Sequence, residues 1–271
     1  VQTCALPIFY QKYFKYKYLS FFTVINCDEN QEDIVVLIPG FTQNGCDIDY
    51  FMKELSFKLN LEGYATLIFE PIGHGDSYGD LSDWNKSNTI ECIKIIGDYI
   101  NNCFTGNKYL VSRGIFSNLI IDNTISLYFN KTISINPLRV NNPLRYFKKD
   151  ETGIILLEDL FLNENSKYIL RIMGAKDWNL KCQYINSTSF FEILNISYSI
   201  NKDKNIIICT LDDTNDPACL TDIKIINNMS VKEQAAHSFI RSANWQNNLQ
   251  NFVIKQIKRI NYENSISDKK E

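Results

Sequence analysis

Apolar residues along the chain form short continuous runs that alternate with amphipathic segments. Ile34–Ile38 is apolar throughout, which is typical of a strand buried on both faces of a sheet. The predicted strands are residues 9–18, 19–26, 34–38, 64–69, 108–111, 132–135 and 206–211. The predicted helices are residues 49–62, 88–103, 116–129 and 242–261. Because strands and helices alternate from residue 34 to residue 136, the pattern predicts a parallel sheet with right-handed crossovers.

Two further features of the pattern concern connections and domain limits. The polar segment 27–33 separates two strands and predicts a hairpin between them. After Pro137 the pattern becomes helical, aromatic and irregular, without a clear buried strand. We therefore expect a core made of residues 9–137 and 204–262, a cap insertion at 138–203, and a frayed tail at 263–271.

The first eight residues differ in origin from the rest. Val-Gln-Thr-Cys-Ala-Leu-Pro-Ile matches the in-frame translation of a common sequencing-library adapter. We expect residues 1–8 to be foreign to the natural protein, as a tag would be. The natural start is then unknown, and a signal peptide ahead of it stays open.

Composition excludes several classes of protein. The 271 residues are 45% hydrophobic, enough for one sizeable core. The net charge is −3 without a strongly charged block, so neither a nucleic-acid surface nor an anionic-membrane surface is predicted. No apolar run approaches the roughly 20 residues of a membrane-spanning helix.

The cysteines do not form a recognisable framework. Seven lie outside residues 1–8, scattered and without a Cys-x-x-Cys pair. Free thiols in a reducing compartment follow, which makes a cytoplasmic location the expectation. Neither a metal nor an organic cofactor is implied, and the oligomeric state is open.

Candidate chemistry is concentrated in four places. Residues 39–41 (Pro-Gly-Phe) follow one buried strand, and residues 70–77 (Glu-Pro-Ile-Gly-His-Gly-Asp-Ser) follow the next. Residues 109–117 (Tyr-Leu-Val-Ser-Arg-Gly-Ile-Phe-Ser) join a short strand to a helix. Asp216 follows the strand at 206–211, and His237 comes 21 residues later.

Together these segments resemble the α/β-hydrolase superfamily of esterases, lipases and serine aminopeptidases. Members of that superfamily carry four motifs in a fixed order along the chain. These are a His-Gly-x loop, an Asp-x-x-Gly-His-Gly-x-Ser segment, a Gly-x-Ser-x-Gly nucleophile elbow, and a late Asp and His. The resemblance covers roughly residues 30–137 and 204–261. It implies an α/β-hydrolase fold, with a mostly parallel central sheet, helices on both faces and a helical cap insertion.

The resemblance implies roles for the loop residues. Gly40 would permit a tight turn, and the N–H of Phe41 would face a developing oxyanion. A plain Pro-Gly turn explains residues 39–41 equally well. The resemblance makes His74 structural rather than catalytic.

The same resemblance implies a catalytic pair late in the chain. Asp216 would orient His237, and His237 would act as general base. The alternative is a turn aspartate and a surface histidine.

The elbow departs from the family pattern. When 109–117 is aligned with the family, Gly114 replaces the nucleophile, while Ser112 and Phe116 replace the two flanking glycines. Those glycines are needed because the turn is strained and crowded, so phenylalanine fits poorly there. Ile115 would then provide the second oxyanion N–H.

A shifted alignment makes Ser112 the nucleophile, with the N–H of Arg113 in the oxyanion hole. It places the bulky Leu110 two residues before the serine and shortens the strand. The Arg113 side chain could bind an anion at a helix N-terminus, or it could be solvated or ion-paired. Both hypotheses for the Arg113 side chain stay open.

Four functions remain in view. The first is a serine-deficient or atypical hydrolase that binds an acyl- or ester-like small molecule under the cap. The second is an active esterase, thioesterase or peptidase that uses Ser112, His237 and Asp216. The third uses His237 as a base without a covalent intermediate. The fourth is a non-catalytic binding protein, because losing the nucleophile of such a triad costs about 10⁶-fold in rate.

Overall fold

The computed structural model describes residues 8–47, 50–120, 124–137, 148, 151–156, 159, 183–194, 204–212, 220–225 and 243–267. The strands are β1 Ile8–Tyr16, β2 Leu19–Cys27, β3 Ile34–Ile38, β4 Ala65–Phe69, β5 Lys108–Arg113, β6 Lys131–Ile135, β7 Ile154–Leu156, β8 Tyr184–Asn186, β9 Asn205–Asp212 and β10 Leu220–Ile225. The helices are α1 Phe51–Leu61, α2 Lys86–Cys103, α3 Ser117–Ile120, α4 Ser187–Leu194 and α5 Ala243–Ser267. Short 3-10 turns cover Gly114–Phe116 and Ile125–Leu127.

The main sheet is mostly parallel, as predicted. Its eight strands have the order β1-β2-β4-β3-β5-β6-β9-β10. The central pairs from β4 to β9 are parallel, whereas β1–β2, β2–β4 and β9–β10 are antiparallel. Because the central strands run the same way, the carboxyl ends of β3, β4, β5, β6 and β9 lie at one edge of the sheet.

The predicted hairpin between the second and third strands is wrong. β2 pairs with β1 and β4, and β3 lies between β4 and β5. All five residues of β3 are buried, so this strand needs a sheet neighbour on each side and a packed layer on each face. A hairpin partner at the sheet's periphery would not supply both.

Two other predictions for local structure need correction. The helix predicted at 116–129 is interrupted: among the described residues, α3 covers only Ser117–Ile120, and Ile125–Leu127 forms a 3-10 turn. β10 was not predicted, because the adjacent polar residues Thr221 and Asp222 interrupt the apolar–polar alternation of Leu220–Ile225, where the pairing with β9 also shifts register. The other predicted strands and helices are confirmed, with ends that differ by a few residues.

The described parts of residues 138–203 contain more than helix. β7 and β8 pair antiparallel into a small separate sheet, and α4 follows β8 directly. The central residues of these strands, Ile155 and Ile185, are buried. Strands of three residues are too short to show the period-2 pattern, so this sheet was missed. The division into core and cap stays a prediction.

Apolar clusters fill both faces of the main sheet. On one face, Ile93 and Ile96 of α2 pack with Phe21, Leu67 and the α4 residues. On the other face, α1 and α5 pack over β3 and β5. Helices on both faces of the sheet are therefore confirmed.

The helices and the cysteines bear on the cellular location of the protein. None of the helices in the described ranges is long and apolar enough to cross a membrane. The cysteines at positions 27, 46, 92 and 103 are free thiols. The cytoplasmic location stays a prediction.

Replacing Gly97 in the middle of α2 tests the packing of this helix. Alanine normally stabilises a helix interior by about 1 kcal/mol relative to glycine. Here a Cβ would lie 2.5 Å from Cδ1 of Tyr128. Overpacking of this kind costs about 1–3 kcal/mol, so we expect Gly97→Ala to lower the free energy of unfolding, measured by urea denaturation.

The control is the same substitution in a Tyr128→Ala background. Without the aromatic ring, the penalty for Gly97→Ala should shrink. A Gly97→Ala protein more stable than the wild type would show that α2 is loosely packed at this point.

Candidate functional site

The turn after β5 is the centre of the candidate site. Gly114 follows the strand directly with a φ of +65°, and the chain then enters a 3-10 turn and α3. This left-handed conformation suits glycine and costs other residues energy. Gly114 therefore occupies the sharp turn between β5 and the helical segment that follows.

Ser112 lies inside β5 rather than at this turn. It pairs with Ile38 of β3 on one side and with Ser134 of β6 on the other. Its side chain is completely buried, and its Oγ has no hydrogen-bond partner among the residues that the structure describes. The hydroxyl is thus enclosed within the sheet layer.

Ser117 is held in place by the backbone. Its Oγ donates to the carbonyl of Ser112 at 2.6 Å and lies 3.2 Å from the carbonyl of Ile135. These bonds fasten the start of α3 to β5 and β6. Ser117 is a structural residue, in agreement with its predicted position inside the helix.

The loop after β3 approaches the Gly114 turn through one glycine. The N–H of Gly40 donates to Asp47 Oδ1 at 3.0 Å. A Cβ on Gly40 would lie 2.7 Å from Arg113 Nη2, so a larger residue would displace the guanidinium. Asp47 itself has a φ of +61°, and Thr42 has a φ of +65°. The loop is tightly folded around the carboxylate of Asp47.

Arg113 and Asp47 form a buried ion pair between this loop and the Gly114 turn. Nη2 of Arg113 lies 2.7 Å from Oδ1 of Asp47, and the two side chains are 1% and 0% exposed. Of the roles left open for Arg113, ion pairing is therefore observed and a solvated side chain is wrong. The same Asp47 oxygen accepts from Gly40, so one atom links the two segments that flank the site.

The imidazole of His74 is buried beside these loops. Its Nδ1 lies 3.2 Å from the carbonyl of Ile72, which can only accept, so Nδ1 carries the proton. Burial lowers the pKa of His74 to about 4. The ring is neutral near pH 7 and acts as a packing group, as the sequence analysis predicted.

Aromatic rings surround His74 and explain how Phe116 fits. The ring of Phe116 lies 5.2 Å from that of His74 and 5.8 Å from that of Phe41, both edge-to-face. Trp84 and Phe190 complete this aromatic cluster around Phe41, at centroid distances of 4.9 and 5.9 Å. The expected poor fit of Phe116 is wrong, because its side chain is buried in this cluster with edge-to-face contacts.

Neither Trp84 nor Phe190 was singled out from the sequence. Phe190 lies far from every motif segment along the chain, and Trp84 follows the segment 70–77 outside the motif itself, so no motif position marks either residue. Phe190 belongs to α4, so the cluster brings residues 187–194 into contact with the loop after β3.

Glu70 connects the loop after β4 with the loop after β3. Its carboxylate accepts the N–H of Gly45 and, at 2.5 Å, the N–H of Asp76. A Cβ on Gly75 would fall within 2.5 Å of both carboxylate oxygens, so only glycine fits there. The side chain of Glu70 thus bridges the two loops through its carboxylate.

A cavity of about 380 Å³ lies beside the aromatic cluster. Thr42 lines it from the loop after β3, His74 and Leu81 from the loop after β4, and Tyr184 from β8. Ligand sites commonly have about 300–1,000 Å³. The cavity is therefore large enough for a small molecule beside the loops that follow β3 and β4.

The predicted catalytic pair lies outside the described residues. Asp216 falls in 213–219 and His237 in 226–242. β9 ends at Asp212, at the sheet edge from which the Gly114 turn also emerges. Within the ranges that the structure covers, no group of three His, Cys, Asp or Glu side chains could hold a metal ion.

Comparisons with known proteins give a likeness of fold. No protein family matches the chain by sequence, and no curated protein matches it. Among solved structures, an α/β-hydrolase, GrgF from Penicillium sp. sh18, is 13% identical with a TM-score of 0.51, covering 70% of this chain and 74% of that one. DcsB, solved with its substrate analogue, is 11% identical with a TM-score of 0.51, covering 69% and 74%.

A third match is partial. The thioesterase domain from the curacin biosynthetic pathway is 15% identical with a TM-score of 0.42, and the match covers 51% of this chain and 50% of that domain. The chain thus spans about half the length of that domain. At identities this low, the matches with GrgF and DcsB concern the fold alone.

The buried ion pair makes a testable contribution to stability. Asp47→Asn keeps an oxygen for Gly40 and tolerates the left-handed backbone, but it leaves the Arg113 charge without its counter-charge. Removing one partner of a buried pair costs about 3–5 kcal/mol, so we expect a loss of this size in urea denaturation.

Two variants serve as controls for this measurement. Asp98→Asn changes an exposed carboxylate on α2 and should alter stability by less than about 0.5 kcal/mol. The double variant Asp47→Asn with Arg113→Met removes both charges and should be more stable than Asp47→Asn alone. Equal stability of the single and double variants would show that the Arg113 guanidinium becomes hydrated in Asp47→Asn.

The pH dependence of stability tests the Glu70 bridge. Burial raises the pKa of Glu70, and this outweighs the two N–H donors, which lower it. The folded state therefore keeps the proton over a pH range in which the unfolded chain has released it. The wild-type free energy of unfolding, minus that of Glu70→Gln, should fall as the pH rises above about 4.5 and then level off.

Urea denaturation of both proteins between about pH 4 and about pH 8 measures this difference. A difference that rises over the same range would mean that the hydrogen bonds from Gly45 and Asp76 dominate over burial.

Proposed function

We propose that this chain, which has the α/β-hydrolase fold, is a serine-deficient or atypical hydrolase that binds an acyl- or ester-like small molecule. The observation that carries the proposal is Gly114. It stands at the left-handed turn where a protein of this fold presents its nucleophile, and it has no side chain to attack a substrate.

The geometry around Gly114 weighs against an active serine. Ser112 is two residues before the turn, between two hydrogen-bonded strands, and its Oγ is inaccessible. The hydroxyl of Ser117 donates a hydrogen bond to the backbone carbonyl of Ser112. An active esterase that uses Ser112, His237 and Asp216 would require β5 to shift by two residues relative to both neighbouring strands.

Other features favour retention of a binding site. The loop after β3 is held against the Gly114 turn by the Arg113–Asp47 pair, so Phe41 and Ile115 stay at the same sheet edge. Their N–H groups would bind a carbonyl oxygen of the ligand, with Gly40 allowing the close approach. The cavity of about 380 Å³, which Thr42 lines next to Phe41 and Tyr184 lines from β8, would hold the acyl or alcohol part.

His237 and Asp216 give this proposal two forms. If they face Gly114, His237 could activate a water molecule without a covalent intermediate, which makes the protein an atypical hydrolase. If they do not, the protein is a non-catalytic binding protein. The two forms share the binding site and differ in turnover.

Reaction with a fluorophosphonate probe tests the absence of a serine nucleophile. We expect no covalent labelling of the wild type, because Gly114 offers no hydroxyl and Ser112 is enclosed. Gly114→Ser should be labelled at the new serine, at a cost of about 1–2 kcal/mol in stability for the left-handed φ. Mass spectrometry identifies the modified residue.

The matched controls are Ser112→Ala and His237→Ala, with p-nitrophenyl butyrate as substrate. Wild type and Ser112→Ala should behave alike, and ¹⁵N–¹H spectra should show the amides of Phe41 and Ile115 shifting as the ester binds. Turnover lost only in His237→Ala would select the water-mediated form. Labelling of Ser112 in the wild type, or turnover lost in Ser112→Ala, would overturn the proposal.

A further inference from the structure

A second cavity, of about 540 Å³, lies on the sheet face that α1 covers. Its floor is the cross-strand pair Val24 and Ile68, with Gln11 of β1 opposite Val24. One wall is α1, through Lys53 and Phe57. The residues around this cavity are separate from those around the cavity of 380 Å³, so the two are distinct places on the molecule.

The strand register gives the second cavity an elongated shape. Phe22, Val24 and Asn26 are alternate residues of β2 and therefore point to one face of the sheet. Glu70 is level with Phe22, because its N–H donates to the carbonyl of Phe22 at 3.0 Å. Glu70 and Asn26 thus mark two ends that are four residues, or about 13 Å, apart along the strands. We call this elongated cavity the trough.

Both ends of the trough present hydrogen-bond acceptors. Glu70 is 3% exposed, and its carboxylate receives one N–H from Gly45 and one from Asp76. A carboxylate has about four acceptor positions, so further donors can be accommodated. Asn26 is 2% exposed, and its Oδ1 has no hydrogen-bond partner in the described part of the chain. A donor group on a molecule in the trough would therefore find an acceptor at either end.

Charges around the trough favour a cation. Three carboxylates line it, those of Glu54, Glu70 and Asp76, against the single ammonium of Lys53. Lys53 itself lies 5.6 Å over the ring of Tyr50 at the rim. The balance of charge thus complements a positively charged molecule.

The rim of the trough is apolar and exposed. Tyr50 is 60% exposed and Phe57 is 57% exposed, although both are large apolar side chains. Exposed apolar groups beside a cavity are typical of binding sites. Together with Val24 and Ile68 they give the trough an apolar middle between polar ends.

We propose that the trough binds an amphipathic primary amine. The ammonium group lies against the carboxylate of Glu70, and the alkyl chain lies over Val24 and Ile68. Burial raises the pKa of Glu70 in the free protein, so a bound cation would also favour its ionised form. The site is independent of the proposed acyl site at Gly114.

Titration of the ¹⁵N-labelled full chain with n-hexylamine tests the proposal near pH 7, where this amine is charged. We expect saturable shifts of the Gly45 and Asp76 amides, which bind Glu70, with a Kd on the order of 1 mM for so small a probe. n-Hexanol has the same chain without the charge and should bind at least about 10-fold more weakly. Hexanoate should leave these amides unshifted.

Variants locate the binding. Val24→Phe fills the floor without changing charge, and Glu70→Gln removes the carboxylate. Each substitution should raise the Kd for n-hexylamine by about 10-fold or more. Glu62→Gln is the matched control, since Glu62 is a carboxylate at the end of α1 outside the trough, paired with Lys258.

Several results would overturn the proposal. They are equal affinity for n-hexanol and n-hexylamine, tighter binding of hexanoate, unchanged binding by Val24→Phe, or shifts at Phe41 and Ile115 in place of Gly45 and Asp76. If Glu70→Gln fails to fold, Val24→Phe and the comparison of the three probes decide the question.

Discussion

The Arg113–Asp47 pair is the interaction on which the arrangement of the site depends. A guanidinium and a carboxylate are both taken out of water at the sheet edge, and neither could be buried there alone. The pair joins the last residue of β5 to the loop that follows β3. Because Gly40 is in contact with both partners, the path of the loop and the position of the strand end are set together.

Glu70 plays a corresponding part for the next loop along the sheet edge. Its carboxylate reaches Gly45 on one loop and Asp76 on its own loop, while Ser77 Oγ donates to the Glu70 carbonyl at 2.6 Å. The loops after β3 and β4 are therefore fastened to each other as well as to the sheet. The aromatic cluster packs against the loops that these polar contacts hold in place.

The sequence predicted those parts of the fold whose signal is local. Ile34–Ile38 is a buried strand by composition alone, and α2 is a helix by periodicity, starting where Asn85 accepts the N–H of Asn88. The pairing of β2 was mispredicted because strand neighbours depend on burial across the whole sheet. Gly114 was placed at the turn, but the partner of Arg113 was not, since Asp47 lies 66 residues away and nothing in either segment pairs them. Phe190 was missed for the same reason.

The positive φ of Gly114 has a consequence for how such a protein could change over time. A serine at this turn holds its backbone in a costly conformation, which active members of the fold retain for the sake of reactivity. Glycine adopts the same conformation freely, so exchanging the nucleophile for glycine would make the fold more stable as catalysis is lost. The reverse exchange would be opposed by stability at each attempt. Loss of the nucleophile at this turn is therefore easier than its recovery, because the change from serine to glycine stabilises the fold and the change from glycine to serine destabilises it.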